Sequence, residues 1–97
     1  MSILESNSVL VRASKLPEAK LSEDELVALD LNKEKYYGMS GSASRIWTLL
    51  ATETTLDELC LRLMEEFDVT RDVCVQETRE FVEKLLQANL IKILPSR

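Results

Sequence analysis

The sequence predicts an α+β domain in which three short strands precede three helices, and three observations lead there. Val27, Leu29 and Leu31 alternate with Ala28 and Asp30, the period-two pattern of a strand. From Ala43 onward apolar residues recur at helical spacing: Ala43, Ile46, Trp47 and Leu50, then Leu56, Leu59, Cys60, Leu63, Met64 and Phe67. Residues 26–50 switch between the two periods through polar turns and hold most of the aromatic residues.

Each element follows in order. Residues 1–7 are polar enough for a loose tail, 9–11 form a short β-prone run, and 16–24 form a turn-rich connector. From Glu25 a strand carries Val27, Leu29 and Leu31 on one face, with Ala28 and Asp30 on the other. Asn32, Lys33 and Glu34 make the hairpin turn, which lacks the glycine of a two-residue type I′ turn. On the next strand Lys35, Tyr37 and Met39 point one way, Tyr36 and Gly38 the other. If Met39 fills the core, Tyr37 goes inward and Tyr36 outward.

Ser40, Gly41 and Ser42 offer an N-cap to the first helix. Thr55 and Glu58 match a capping box at the start of the second. Thr70 is the candidate cap of the third, which Asn89 stops. An apolar tail, 91–94, runs up to Pro95. Val27, Leu29, Met39, Ile46 and Trp47 are the expected core of the first half.

A chain of 97 residues makes one domain, 1–97, and buries about 60–65% of its unfolded surface. No run of about 18 apolar residues could cross a bilayer. The N-terminus lacks the basic and apolar regions of a secretory signal, so the expected location is cytoplasmic, away from membranes. Cys60 and Cys74 then read as reduced core thiols. Net charge is −5, and residues 51–90 carry ten acidic against four basic side chains. Such a surface repels phosphate backbones and favours a polypeptide or small molecule over nucleic acid.

Catalytic chemistry finds little footing. Histidine is absent, which removes the commonest general base and metal ligand near neutral pH. Cys60 and Cys74 have no zinc-ligand spacing, and the only glycines, Gly38 and Gly41, make no phosphate loop. The carboxylates sit at helix starts and on exposed faces. The expectation is a non-enzymatic protein without metal or cofactor.

The third helix is more informative. Cys74, Thr78, Phe81 and Leu85 line the direction facing the core, with Val75, Val82 and Leu86 on one flank and Asp72 and Arg79 at its rim. Glu77, Glu80, Lys84 and Val73 occupy the opposite flank. The apolar sector is wider than one packing contact needs. Either the helix is wedged between two others, or it forms one wall of a groove that takes an apolar peptide.

These residues together resemble the PqqD-like family. The likeness rests on the strand ending at Asp30, Tyr36-Tyr37, Met39-Ser40, Ile46-Trp47 and Leu49-Leu50, then Thr55, Leu59 and Phe67, and finally Phe81, Leu85 and Leu90-Ile91. It covers roughly residues 9–94. Met39-Ser40 replaces the family's usual Leu-Asn, and Asn89 stands where a glycine is common.

The resemblance implies a winged helix-turn-helix-like domain, with a three-stranded antiparallel sheet followed by three helices. It also implies recognition of the leader of a ribosomally made precursor peptide. The leader would dock antiparallel on the third strand, Lys35, Tyr36, Tyr37, Gly38 and Met39, in a cleft closed by the third helix. Val75, Val82 and Leu86 would line an apolar pocket there, and Asp72 and Arg79 would fix polar leader residues. Free-standing members are similar to the recognition proteins of lasso-peptide clusters, which deliver the precursor to a leader peptidase and a macrocyclase. Members serving pyrroloquinoline quinone synthesis present a precursor to a radical enzyme instead. The rival from another class is a DNA-binding winged helix. Its recognition helix would carry Asp72, Glu77, Glu80 and Glu83 against Arg71, Arg79 and Lys84, the wrong balance for reading a groove.

Overall fold

A computed structural model describes residues 4–95, which form two small sheets and three helices. In chain order these are β1 (Val9–Arg12), β2 (Glu18–Ser22), β3 (Glu25–Asp30), β4 (Lys35–Ser40), α1 (Ser42–Leu49), β5 (Thr54–Thr55), α2 (Leu56–Glu66), α3 (Arg71–Gln87) and β6 (Ile91–Ile93). The main sheet is antiparallel in the order β2-β3-β4; the second has β1 between β5 and β6.

The α+β class, the three-stranded antiparallel sheet and the three helices stand as read. Membership of the sheet differs. Strand β2 lies inside the expected connector, and its sequence Glu-Ala-Lys-Leu-Ser is exposed throughout. Pairing with β3 creates it, not an apolar pattern of its own. The run 9–11 becomes the centre of the second sheet, whose partners β5 and β6 span two and three residues.

The alternation in β3 is present but faces the other way. Leu26, Ala28 and Asp30 turn inward, Val27 and Leu29 are half-buried on the outer face, and Leu31 is 72% exposed. The reason is register: Leu26 pairs with Met39 and Ala28 with Tyr37, and paired residues share a face. The helices pack on the side of Met39, so Leu26 and Ala28 follow it into the core. Met39, Ile46 and Trp47 are buried as expected, Tyr37 packs half-buried against them, and Tyr36 is 76% exposed.

Trp47 is the centre of a node that joins both sheets to α1. Its indole Nε1 donates to Glu18 Oε1 at 2.9 Å, and the Arg12 guanidinium lies 4.2 Å from the ring centroid. Arg12 Nε and Nη2 donate to the Trp47 carbonyl at 3.1 and 2.7 Å, and Nη1 donates to Glu18 Oε2 at 3.1 Å. The last turn of α1 carries no basic residue, so Arg12 supplies the cation that complements its C-terminal carbonyls from another strand. At the far end, Arg45 of α1 meets Glu66 of α2 at 2.7 Å, and this hydrogen bond holds the Glu66 carboxyl below its usual range.

Helix boundaries mostly follow local chemistry. Thr55 Oγ1 accepts from the Glu58 amide at 3.1 Å, the core of the expected capping box. Gly41, not a serine, is the N-cap of α1, and its φ of 58° suits glycine. Thr70 caps α3 by position, without a side-chain bond. Asn89 adopts φ 61°, with Asn89 N donating to Leu86 O and Leu90 N to Leu85 O, both at 3.0 Å. These are the paired bonds of a Schellman motif. Asn89→Val should therefore lower stability by about 1–2 kcal/mol, since a β-branched residue resists the left-handed region, while Asn89→Gly should stay near neutral. Thermal melts of the two variants check this.

Part of the expected tail is packed. Residues 1–3 lie outside the described residues, but Leu4 is buried, its carbonyl accepts from Arg79 Nη1 at 2.9 Å, and the Ser6 carbonyl accepts from Asp57 N at 3.1 Å. No helix among the described residues is long and apolar enough to cross a membrane.

Candidate peptide-binding site

The main sheet has two free edges, β2 and β4, and no other strand of the described residues pairs with either. Which β4 amides face outward follows from the parity of the antiparallel ladder. Leu29 N donates to Pro17 O at 2.9 Å, so Leu29 and Val27 turn their backbone polar groups towards β2. Gly41 N donates to Asp24 O at 2.8 Å, which sets the same parity from the other end. Lys35, Tyr37 and Met39 therefore bond to β3, while Tyr36, Gly38 and Ser40 present N–H and C=O groups to the open edge.

The two edges differ in kind. β2 alternates charges, Glu18 and Lys20, and its register shifts between Lys20 and Ser22. Such irregular, charged edges resist strand addition. β4 pairs in unbroken register over its whole length, and Lys35 is its one charged residue.

Helix α3 meets the segments flanking β4 at two points. At one end, Lys33 Nζ, in the β3–β4 turn, donates to the Ala88 carbonyl at 2.5 Å. At the other, Ser42 and Ala43, just past β4, share a hollow of about 240 Å³ with Cys74, Glu77, Thr78 and Phe81 of α3. The hollow lies between the start of α1, α2 and α3, and it opens just past the end of β4. Ile46, Leu63 and Phe67 give the hollow an apolar floor, and half-buried Phe81 is its largest side chain from α3. A larger hollow of about 420 Å³, between Leu49 and Glu65, lies over α1, β5 and α2, and no residue of the main sheet lines it.

The α3 residues that line this hollow are Glu77 and the core-facing row of Cys74, Thr78 and Phe81, with none from the flank of Val75, Val82 and Leu86. Val82 is 0% exposed and belongs to the core, while Val75 and Leu86 pack partly buried against it. Arg79, expected at a rim, is held by the Leu4 carbonyl, so the N-terminal segment meets this side. Asp72 stays exposed in the first turn of α3. The extra apolar width of α3 therefore reflects burial, and the open hollow is found instead along Glu77 and Phe81. Of the strand residues, Tyr36 and Gly38 offer outward amides, Tyr37 and Met39 offer inward side chains, and Lys35 pairs with Asp30 at the hairpin turn.

Phe81 and Glu77 were missed as wall residues because Phe81 sits in register with the core row and Glu77 reads as solvated surface. Cys60 and Cys74 are free, buried thiols, and burial pushes Cys60 up to about 11, which leaves it a poor nucleophile. Among the described residues no cluster of His, Cys, Asp and Glu could hold a metal ion.

Comparison with known proteins adds two findings. The family model for coenzyme PQQ synthesis protein D (PqqD) matches residues 25–91. The solved structure of TbiB1 in complex with the TbiA(beta) leader peptide is similar in fold, with TM-score 0.71 and 26% identity, covering 97% of this chain and 100% of that one. No curated protein matches the chain.

Proposed function

This chain belongs to the PqqD family, and from that premise we propose that it binds the leader segment of a ribosomally made precursor peptide. The leader adds as an antiparallel strand along β4, and its inward side chains enter the hollow against Phe81. One observation carries the reading: the regular, nearly uncharged β4 edge turns the amides of Tyr36 and Gly38 outward with no strand of the described residues paired to them, and an apolar hollow walled by Phe81 of α3 opens just past its end. Strand addition satisfies those groups, and the apolar hollow distinguishes one leader from another.

The likeness to TbiB1 along its whole length, in a leader-bound state, supports the same reading. The chain then acts as a non-catalytic adaptor that presents the precursor to a leader peptidase and a macrocyclase in lasso-peptide maturation. The PqqD family description favours a second pathway, presentation to a radical enzyme in pyrroloquinoline quinone synthesis. The enzymes encoded beside this chain distinguish the two.

Fluorescence anisotropy with a labelled leader of the neighbouring precursor tests the binding itself. Phe81→Ser should raise Kd by about tenfold or more, because it removes the apolar wall. Val75→Thr, on the flank towards Leu4, should leave Kd within about twofold. Equal losses in both variants would place the leader elsewhere.

A further inference from the structure

Resting on that reading, we propose that the leader is also read on the outer face of the sheet. There Gly38 opens a notch for one large apolar side chain of the docked strand, aromatic by preference. Gly38 pairs with Val27, and Tyr36 with Leu29, so these four positions share the outer face. Val27 and Leu29 are half-buried, Tyr36 stands exposed beside them, and a Cβ added at Gly38 would meet nothing within 4 Å. The apolar row thus has a gap at its edge.

The geometry of strand addition determines what enters that gap. Tyr36 and Gly38 turn their amides outward, so they form the closely bonded pairs with an antiparallel leader. The leader residue opposite Gly38 then points its side chain to the outer face, as Gly38 itself does. A side chain there lies over bare glycine backbone, reaches Val27 in the strand beyond and has the Tyr36 ring on its diagonal. An aromatic ring gains most, because it can fold across a glycine to the next row. The apolar row is continuous with the edge whose amides the leader engages, and so the leader itself is the occupant.

The test uses the synthetic leader of the precursor encoded beside this chain, scanned by alanine, with wild type, Tyr36→Ala and Gly38→Ala. Both substitutions fall on exposed positions, and the new methyl at residue 38 enters open space in the free protein, so circular dichroism and Tm should stay native. One leader position should lose about five- to tenfold in affinity on replacement by alanine. Each protein variant should lose about three- to tenfold with the parent leader and little with the leader already carrying alanine there. Unchanged Kd in both variants, or equal losses with both leaders, would overturn the notch and leave strand addition standing. Absence of exchange protection at the Tyr36 and Gly38 amides in the wild-type complex would instead overturn the strand-addition reading, and the notch with it.

Discussion

Trp47→Ala is expected to remove about 3–5 kcal/mol of stability, the range for deleting a fully buried indole. A domain of 97 residues holds roughly 5–15 kcal/mol in total, so this one change consumes a large share. Three effects combine. The core loses its largest fully buried side chain, Glu18 loses the indole N–H, and the Arg12 guanidinium loses the ring beneath it. Trp47→Phe keeps apolar bulk but drops the donor, and should fall between, at about 1–2 kcal/mol. Urea titration followed by far-UV circular dichroism gives both values. A loss below about 1 kcal/mol for the alanine variant would mean that the node joining β1, β2 and α1 contributes little.

Gly38→Pro should leave the fold intact and weaken leader binding by roughly 10- to 100-fold. The Gly38 N–H points away from β3, so proline breaks no rung of the existing ladder, and edge strands tolerate it. The residue before it, Tyr37, is already extended, as a residue preceding proline prefers. What disappears is the donor for a leader carbonyl, which is then left unpaired in the complex at about 1–3 kcal/mol. The ring also occupies the space that carbonyl needs. Lys20→Pro is the matched control, because its outward amide lies on β2; it should change Kd by less than about twofold.

Signals contained within a few residues were legible in the sequence. The Thr55–Glu58 cap, the left-handed stop at Asn89, the opposed directions of Tyr36 and Tyr37, and the burial of Trp47 each depend on neighbours close in the chain. Features set by distant partners were not. Strand β2 has no apolar pattern and exists because β3 offers it a ladder. Val27 and Leu29 look more core-like than Ala28, yet the side on which the helices pack decides the face. The width of α3's apolar sector was real, but Val82 had gone into the core and Arg79 to the Leu4 carbonyl. The open edge of β4 was therefore legible in the sequence, and the burial of Val82 and the hydrogen bond of Arg79 to Leu4 were not.

Amide hydrogen exchange, read residue by residue by NMR with and without the leader, tests strand addition along β4 most directly. The amides of Tyr36 and Gly38 should become strongly protected on binding, while those of Tyr37 and Met39, already bonded to β3, change little. Protection that appears instead on β2 at Glu18 and Lys20, or nowhere on β4, would contradict the account.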